Sequence, residues 1–147
     1  ARSFLDVFND LYAMFGRETY CRLFPVILTD RGSEFSNPVP IEQDENDELR
    51  SLVFYCNPSA PYQKGGIEVA HELVRRVLPK GKSFDDLQQE DIDLMLSHIN
   101  SYKRGKLNSR SAYQLFNFIY GDDILPKLNI REIEANDIVL SPKLLKK

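Results

Sequence analysis

Residues 27–35 read ILTDRGSEF, an apolar run that ends on Asp30 and turns through Gly32. Aliphatic and β-branched residues from Phe24 to Thr29 predict a strand buried on both faces, with Pro25 near its start, where a missing N–H does least harm. A carboxylate is thereby left where a strand surfaces. Ligands of open α/β sheets bind beyond the carboxyl ends of strands, which makes Asp30 a candidate ligand residue; an acid that merely forms the turn is the competing reading.

Upstream, Phe4, Leu5, Phe8, Leu11, Tyr12 and Phe15 recur at helical spacing, and Gly16 follows as a stop. Downstream, SNPVPIEQDENDELR is polar and broken by prolines, with a short helix expected from about Glu45 to Arg50. LVFYC, residues 52–56, reads as a second strand ended by NPSAP. Helical spacing returns from Gly66, through Ile67, Val69, Ala70, Leu73, Val74, Val77 and Leu78, until Pro79 and Gly81 end it. A further helix carries Ile92, Met95, Leu96, Ile99 and Tyr102 on one face, with Ser83 as its cap, and another spans Ser111 to Tyr120 before Gly121. The remainder has scattered apolar anchors and little period, and is expected to pack as an extended tail.

Alternating strands and helices place the chain in the α/β class. Two strands alone make a poor core with open edges, so the sequence predicts a chain that starts inside a domain, its earlier strands absent, and a sheet edge completed by a second copy. Bulk properties narrow the function classes. The 147 residues, 42% of them hydrophobic, suffice for a real core and argue against disorder. A net charge of -3 excludes a global basic field, so any polyanion must be held by a local patch. Cys21 and Cys56 are too few for a disulfide framework or a four-ligand zinc site; two buried thiols in a reducing cytosol fit them best. No apolar stretch approaches the roughly 18 residues of a membrane span.

A second carboxylate, Glu68, follows the Gly65–Gly66 pair in the first turn of its helix. An acid at a helix N-terminus is favoured by the dipole alone. Taken with Asp30, it forms the kind of pair, drawn from separate elements, that a hard divalent ion such as magnesium requires. Two such ions activate an attacking oxygen and stabilise a leaving one in phosphoryl transfer, chemistry that normally needs a third carboxylate.

These residues carry a resemblance. ILTDRGSEF, followed by VFYCNPSAPYQKGGIEVAHELVRRVLPKG, resembles the integrase-type catalytic core of DDE transposases, closest to the thirty group of insertion-sequence transposases. Thr29, Asp30, Gly32, Glu34 and Phe35 match that group's T-D-N-G-x-E-F block, with Arg31 for its Asn. Pro58, Pro61 and Gly65 match P-Y-S-P-W-x-R-G, with Ser59 and Ala60 departing from its Tyr-Ser pair, Tyr62 for its Trp and Lys64 for its Arg; Glu68 follows as the third acid. The 37 residues between Asp30 and Glu68 lie near the family's mid-thirties spacing. LPKG and NSYKRGKLNSRSAYQLF echo two later blocks, so the matched segments reach from Ile27 to Phe116.

The resemblance implies a ribonuclease H-like fold, helix-rich because it is incomplete, with residues 1–121 forming the C-terminal part of the core and 122–147 a tail packed upon it. It implies that Asp30 and Glu68 hold Mg2+ or Mn2+, two ions in the complete domain, at a site for DNA cleavage and strand transfer in transposition. It implies DNA as partner, both transposon ends and target, with Lys64, His71, Arg75 and Arg76 toward the phosphates, though Glu72 on the same face would repel them. A bacterial, nucleoid-associated cytoplasmic protein follows from the same resemblance, and self-association from the open sheet edge. The first Asp, expected on a strand upstream of the opening helix, is absent, so the fragment is expected to be inactive alone. The alternative is a catalytically inactive remnant acting as a DNA-binding or self-associating module.

Overall fold

The computed structural model describes residues 3–145, apart from the side chains of Pro61 and Lys64, and divides into two compact units, residues 1–65 and 66–147.

In the first unit, Ser3 caps α1 (Phe4–Leu23) through a reciprocal pair of bonds with Asp6, its hydroxyl accepting the Asp6 N–H at 3.2 Å. Gly16 ends the first helical run as the sequence predicts, but with φ of 77° it hands over directly to a second run. Both runs are needed: Tyr12 before the break and Tyr20 after it meet edge to face, ring centroids 5.1 Å apart. Strand β1 (Val26–Thr29) pairs in parallel with β2 (Leu52–Tyr55), Val26 opposite Leu52 and Thr29 opposite Tyr55. The crossover passes through a 3-10 turn (Ser33–Phe35) and α2 (Val39–Glu42).

Three expectations are corrected here. β1 is shorter than Phe24–Thr29 and is not buried on both faces. Val26, Leu28, Leu52 and Phe54, which the register sets side by side, are 43–54% exposed, so one face of the pair stands open to solvent. Residues 45–50 form no helix. Asp44 accepts the Asn46 and Glu48 N–H groups at 2.9 and 3.0 Å, Asp47 takes a left-handed φ of 61°, and Gln43 bridges Leu49 across the tight turn. The short helix lies earlier, at Val39–Glu42, with Pro40 in its first turn. Cys56 is buried as expected, whereas Cys21 is only half-buried.

Arg50 ties this unit together. Only 4% exposed, its guanidinium donates to the Ile41 and Pro40 carbonyls at 3.0 Å and to Asn9 Oδ1 at 2.9 Å, over the faces of Tyr12 and Tyr20 at 5.0 and 5.4 Å. Ser51 beside it donates to the Phe24 carbonyl at 2.7 Å. Glu42 accepts the Val53 N–H at 3.1 Å, covering part of the β2 edge that faces away from β1.

In the second unit, Leu73, Val77 and Leu78 from α3 (Gly65–Val77) and its end pack with Met95 and Ile99 of α4 (Gln89–Ser101). Ser83 does not cap α4: it accepts the Asp85 N–H in a turn, and the cap is Gln88, whose own N–H is held by Asp91 at 2.9 Å. A hairpin of β3 (Lys103–Arg104) and β4 (Arg110–Ser111), missed in the sequence, turns through Asn108 and Ser109, both left-handed. Ser111 then caps α5 (Ala112–Tyr120), and Gly121, at φ 94°, ends it.

Residues 131–139 run along α4 as a strap whose backbone N–H groups are accepted by helix side chains. Arg131 donates to Ser97 Oγ at 3.1 Å, Ile133 to Ser101 Oγ at 2.9 Å and Val139 to His98 Nδ1 at 3.0 Å. Burial holds the His98 imidazole below its ordinary value, nearby Arg131 adds to that, and Asp137 opposes it.

Replacing Arg50 with Ala or Lys is expected to destabilise the first unit by about 3 kcal/mol in urea unfolding, since two carbonyls and Asn9 lose a donor that one ammonium cannot replace. Acid is expected to loosen the two units in different windows. His98 binds a proton more readily unfolded than folded, so stability of the second unit falls as pH drops below about 6.5. Asp44, held below its ordinary 3.8 chiefly by the Glu48 N–H and also by Tyr12, Asn46 and Arg17, contributes stability to the first unit that is complete above its ordinary value and is lost progressively as pH falls from there through its lowered folded one. Exchange of the Val139 amide at pH 5.5 and 7.5 reads the first window; His98→Asn, which keeps an acceptor without a titrating ring, is expected to abolish its pH dependence.

Candidate functional site

Asp30 follows β1 directly, at the carboxyl end of the parallel pair, and is exposed. Its Oδ1 accepts the Gly32 N–H at 3.0 Å, which turns the chain back on itself and fixes one carboxylate oxygen over the strand end. Thr29, the last strand residue, is buried and anchors the position from below. A Cβ at Gly32 would lie 2.7 Å from the Glu34 carboxylate, so any larger residue there would push that side chain aside. Asp30 and Glu34 thus flank the same glycine. The turn beyond is braced from β2, whose Tyr55 hydroxyl donates to the Phe35 carbonyl, while the Phe35 ring packs on Phe4 at 5.0 Å. An open cleft of about 370 Å3 lies beside this turn, lined by Arg31, Gly32, Ser36, Pro38 and Tyr55.

In the second unit α3 is sharply divided into two faces. Leu73 and Val77 are buried with Val69 and Val74 against them, whereas Glu68, His71, Glu72, Arg75 and Arg76 are all exposed. Spacings of three, four, seven and eight from Glu68 bring those five onto one face. Arg76 pairs with Glu72 at 3.1 Å, so one of the two arginines already has an anion. Nothing lies within 4 Å of where a Cβ would stand on Gly65 or Gly66, so the glycine pair leaves open space before Glu68.

Each predicted acid is therefore exposed on a rigid element of its own unit, Asp30 at a strand end and Glu68 in a helical first turn. The side chain of Lys64 lies outside the described residues. Asp30 and Glu34 in the first unit, and Glu68 in the second, each offer carboxylate oxygens, the donor type that a hard divalent cation takes. Among the described residues no three His, Cys, Asp or Glu side chains cluster closely enough to hold a metal ion. Sequence reasoning matched Glu34 as part of a motif but did not promote it, and the only sign of its placement was the glycine two positions earlier.

Among the described residues no helix is long and apolar enough to cross a membrane. No family model matches the chain, and no solved structure does. Its relatives include the transposase for insertion sequence element IS1086 of Cupriavidus metallidurans, 35% identical over 63 residues, which are 43% of this chain and 19% of that protein. The transposase for IS4351 of Bacteroides fragilis is 27% identical over 94 residues, 64% of this chain and 28% of that protein. Transposase InsI for IS30A of Escherichia coli is 27% identical over 63 residues, 43% and 16% respectively. The matched part thus spans less than a third of the length of each of these relatives. Over part of its length, this chain is similar to transposases of bacterial insertion sequences, the IS30 transposase among them.

Proposed function

We propose that the chain is part of the catalytic core of a DDE transposase with a ribonuclease H-like fold, and that it acts on DNA in transposition. The observation that carries this reading is Asp30 at the carboxyl end of a parallel strand, inside the motif block that the transposase-like sequence supplies. Asp30 and Glu68 take the roles of the second and third acids, with Glu34 close to Asp30 as a further oxygen donor. Bound there, Mg2+ or Mn2+ would supply Lewis-acid activation of an oxygen nucleophile and stabilisation of the leaving oxygen in phosphoryl transfer. Within the first unit the chain's own residues orient one of these acids. The Gly32 N–H orients the Asp30 carboxylate, and Tyr55 braces the turn behind it. His71, Arg75 and Arg76 lie on the face of α3 that carries Glu68, where the polar ring and the two guanidinium groups would fix the register of a phosphate backbone.

Two observations favour a second reading, a DNA-binding or self-associating module without catalysis. Glu72 neutralises Arg76 on the face that would meet phosphate. The exposed apolar row of Val26, Leu28, Leu52 and Phe54 supports self-association through the sheet.

Calorimetric titration of manganese tests the leading reading. Binding is expected in the wild-type chain and is expected to be lost in both Asp30→Ala and Glu68→Ala; retention of wild-type affinity in either variant would sink it. Glu72→Gln, which frees Arg76, is expected to tighten duplex DNA binding several-fold at low salt and to steepen its salt dependence. Sedimentation of Leu28→Lys against wild type reads the sheet face: a wild-type dimer that the variant dissolves is expected.

A further inference from the structure

The second unit holds a cleft that the roles above touch only through Arg76. It measures about 410 Å3 and is lined by Arg76, Tyr102, Lys103, Ala135, Ile138 and Leu140. Two cations line it, in a chain whose net charge is -3; Lys103 is one, and the other, Arg76, also pairs with Glu72 at 3.1 Å on an exposed face, a bond for which an incoming phosphate competes. The tyrosine expected on the apolar face of α4 is instead 38% exposed. It is the first residue beyond the helix, with extended backbone and its N–H held by the His98 and Ile99 carbonyls at 3.2 and 3.4 Å. That exit brings Tyr102 and Lys103 to the cleft together. The opposite wall is the strap, and it is fixed before any ligand arrives, because Val139, between Ile138 and Leu140, donates to buried His98.

An aromatic ring, an aliphatic wall and two cations answer a ligand that is flat and apolar in one part and anionic in another. We propose that this cleft holds one unpaired nucleotide of a DNA strand, its base against Tyr102 and the strap, its phosphates toward Arg76 and Lys103. The proposal rests on the reading that the chain acts on DNA, and adds that it takes unpaired DNA as well as duplex. Stacking on a tyrosine tolerates any base, so the cleft distinguishes strandedness rather than sequence.

The test is fluorescence anisotropy of a labelled oligothymidylate and of a duplex of equal length, titrated with the full chain. Tyr102→Ala is expected to weaken single-strand binding about tenfold or more, to leave duplex binding unchanged, and to be rescued by Tyr102→Phe, which keeps the ring. Lys103→Ala is expected to reduce the salt slope for the single strand by about one. Unchanged single-strand affinity in Tyr102→Ala overturns the proposal, as does equal loss for duplex. Thymidine monophosphate binding as tightly as the oligonucleotide also overturns it, since the cleft would then be a free-nucleotide site. Manganese binding at Asp30 and Glu68 does not involve these residues, so failure of the cleft and failure of the transposase reading are separable.

Discussion

Backbone polar groups that lie outside helices and ladders must still find partners, and in this chain side chains supply many of them. The strands are short and the crossover long, so the ladder between β1 and β2 satisfies few of the groups around it. Arg50 takes two carbonyls of the crossover, Ser51 takes the carbonyl that precedes β1, and Glu42 takes an N–H from the outer edge of β2. Ser97, His98 and Ser101 do the same for the strap. Without these contacts the elements would remain, but the crossover and the strap would have no fixed course.

This constraint explains why the candidate site is partly rigid. Asp30 is held by the turn it makes, and that turn is held by Tyr55 from the neighbouring strand. Glu68 owes its position only to α3, whose buried face of Leu73 and Val77 fixes the helix and leaves the acid in solvent. One acid is set by a network, the other by a single element.

The elements legible in the sequence were those with a strong period or an unambiguous breaker. The α3 pattern from Ile67 to Leu78, the strand at LVFYC, and the stops at Gly16 and Gly121 are of that kind. Asp30 was legible because an apolar run ends on it. Elements decided by side-chain-to-backbone bonds were not. The Asp44 turn looked helical because its residues are polar and charged, and only the two N–H groups on one carboxylate reverse the chain there. The hairpin of β3 and β4 was hidden because the left-handed positions of its turn fall on Asn108 and Ser109 rather than on glycine, and a two-residue strand has no period to detect. Arg50 gave no sign at all: a charge beside Leu49 reads as surface until two tyrosines and two carbonyls surround it.

The strap also bears on the order in which the chain can fold. Its three anchors join residues 32 to 41 positions apart, and each acceptor sits on a helix that must already be wound for Ser97, His98 and Ser101 to share a face. Closing loops of that length costs entropy that local helix formation does not, so docking of the strap follows formation of α4. During synthesis the last anchor emerges after Val139, and until then the apolar residues that Leu140 and Leu144 cover on α3 and α4 stand open to solvent. The C-terminal segment therefore acts as a late closure, and a ribosome that pauses before it leaves the second unit at its most vulnerable to aggregation.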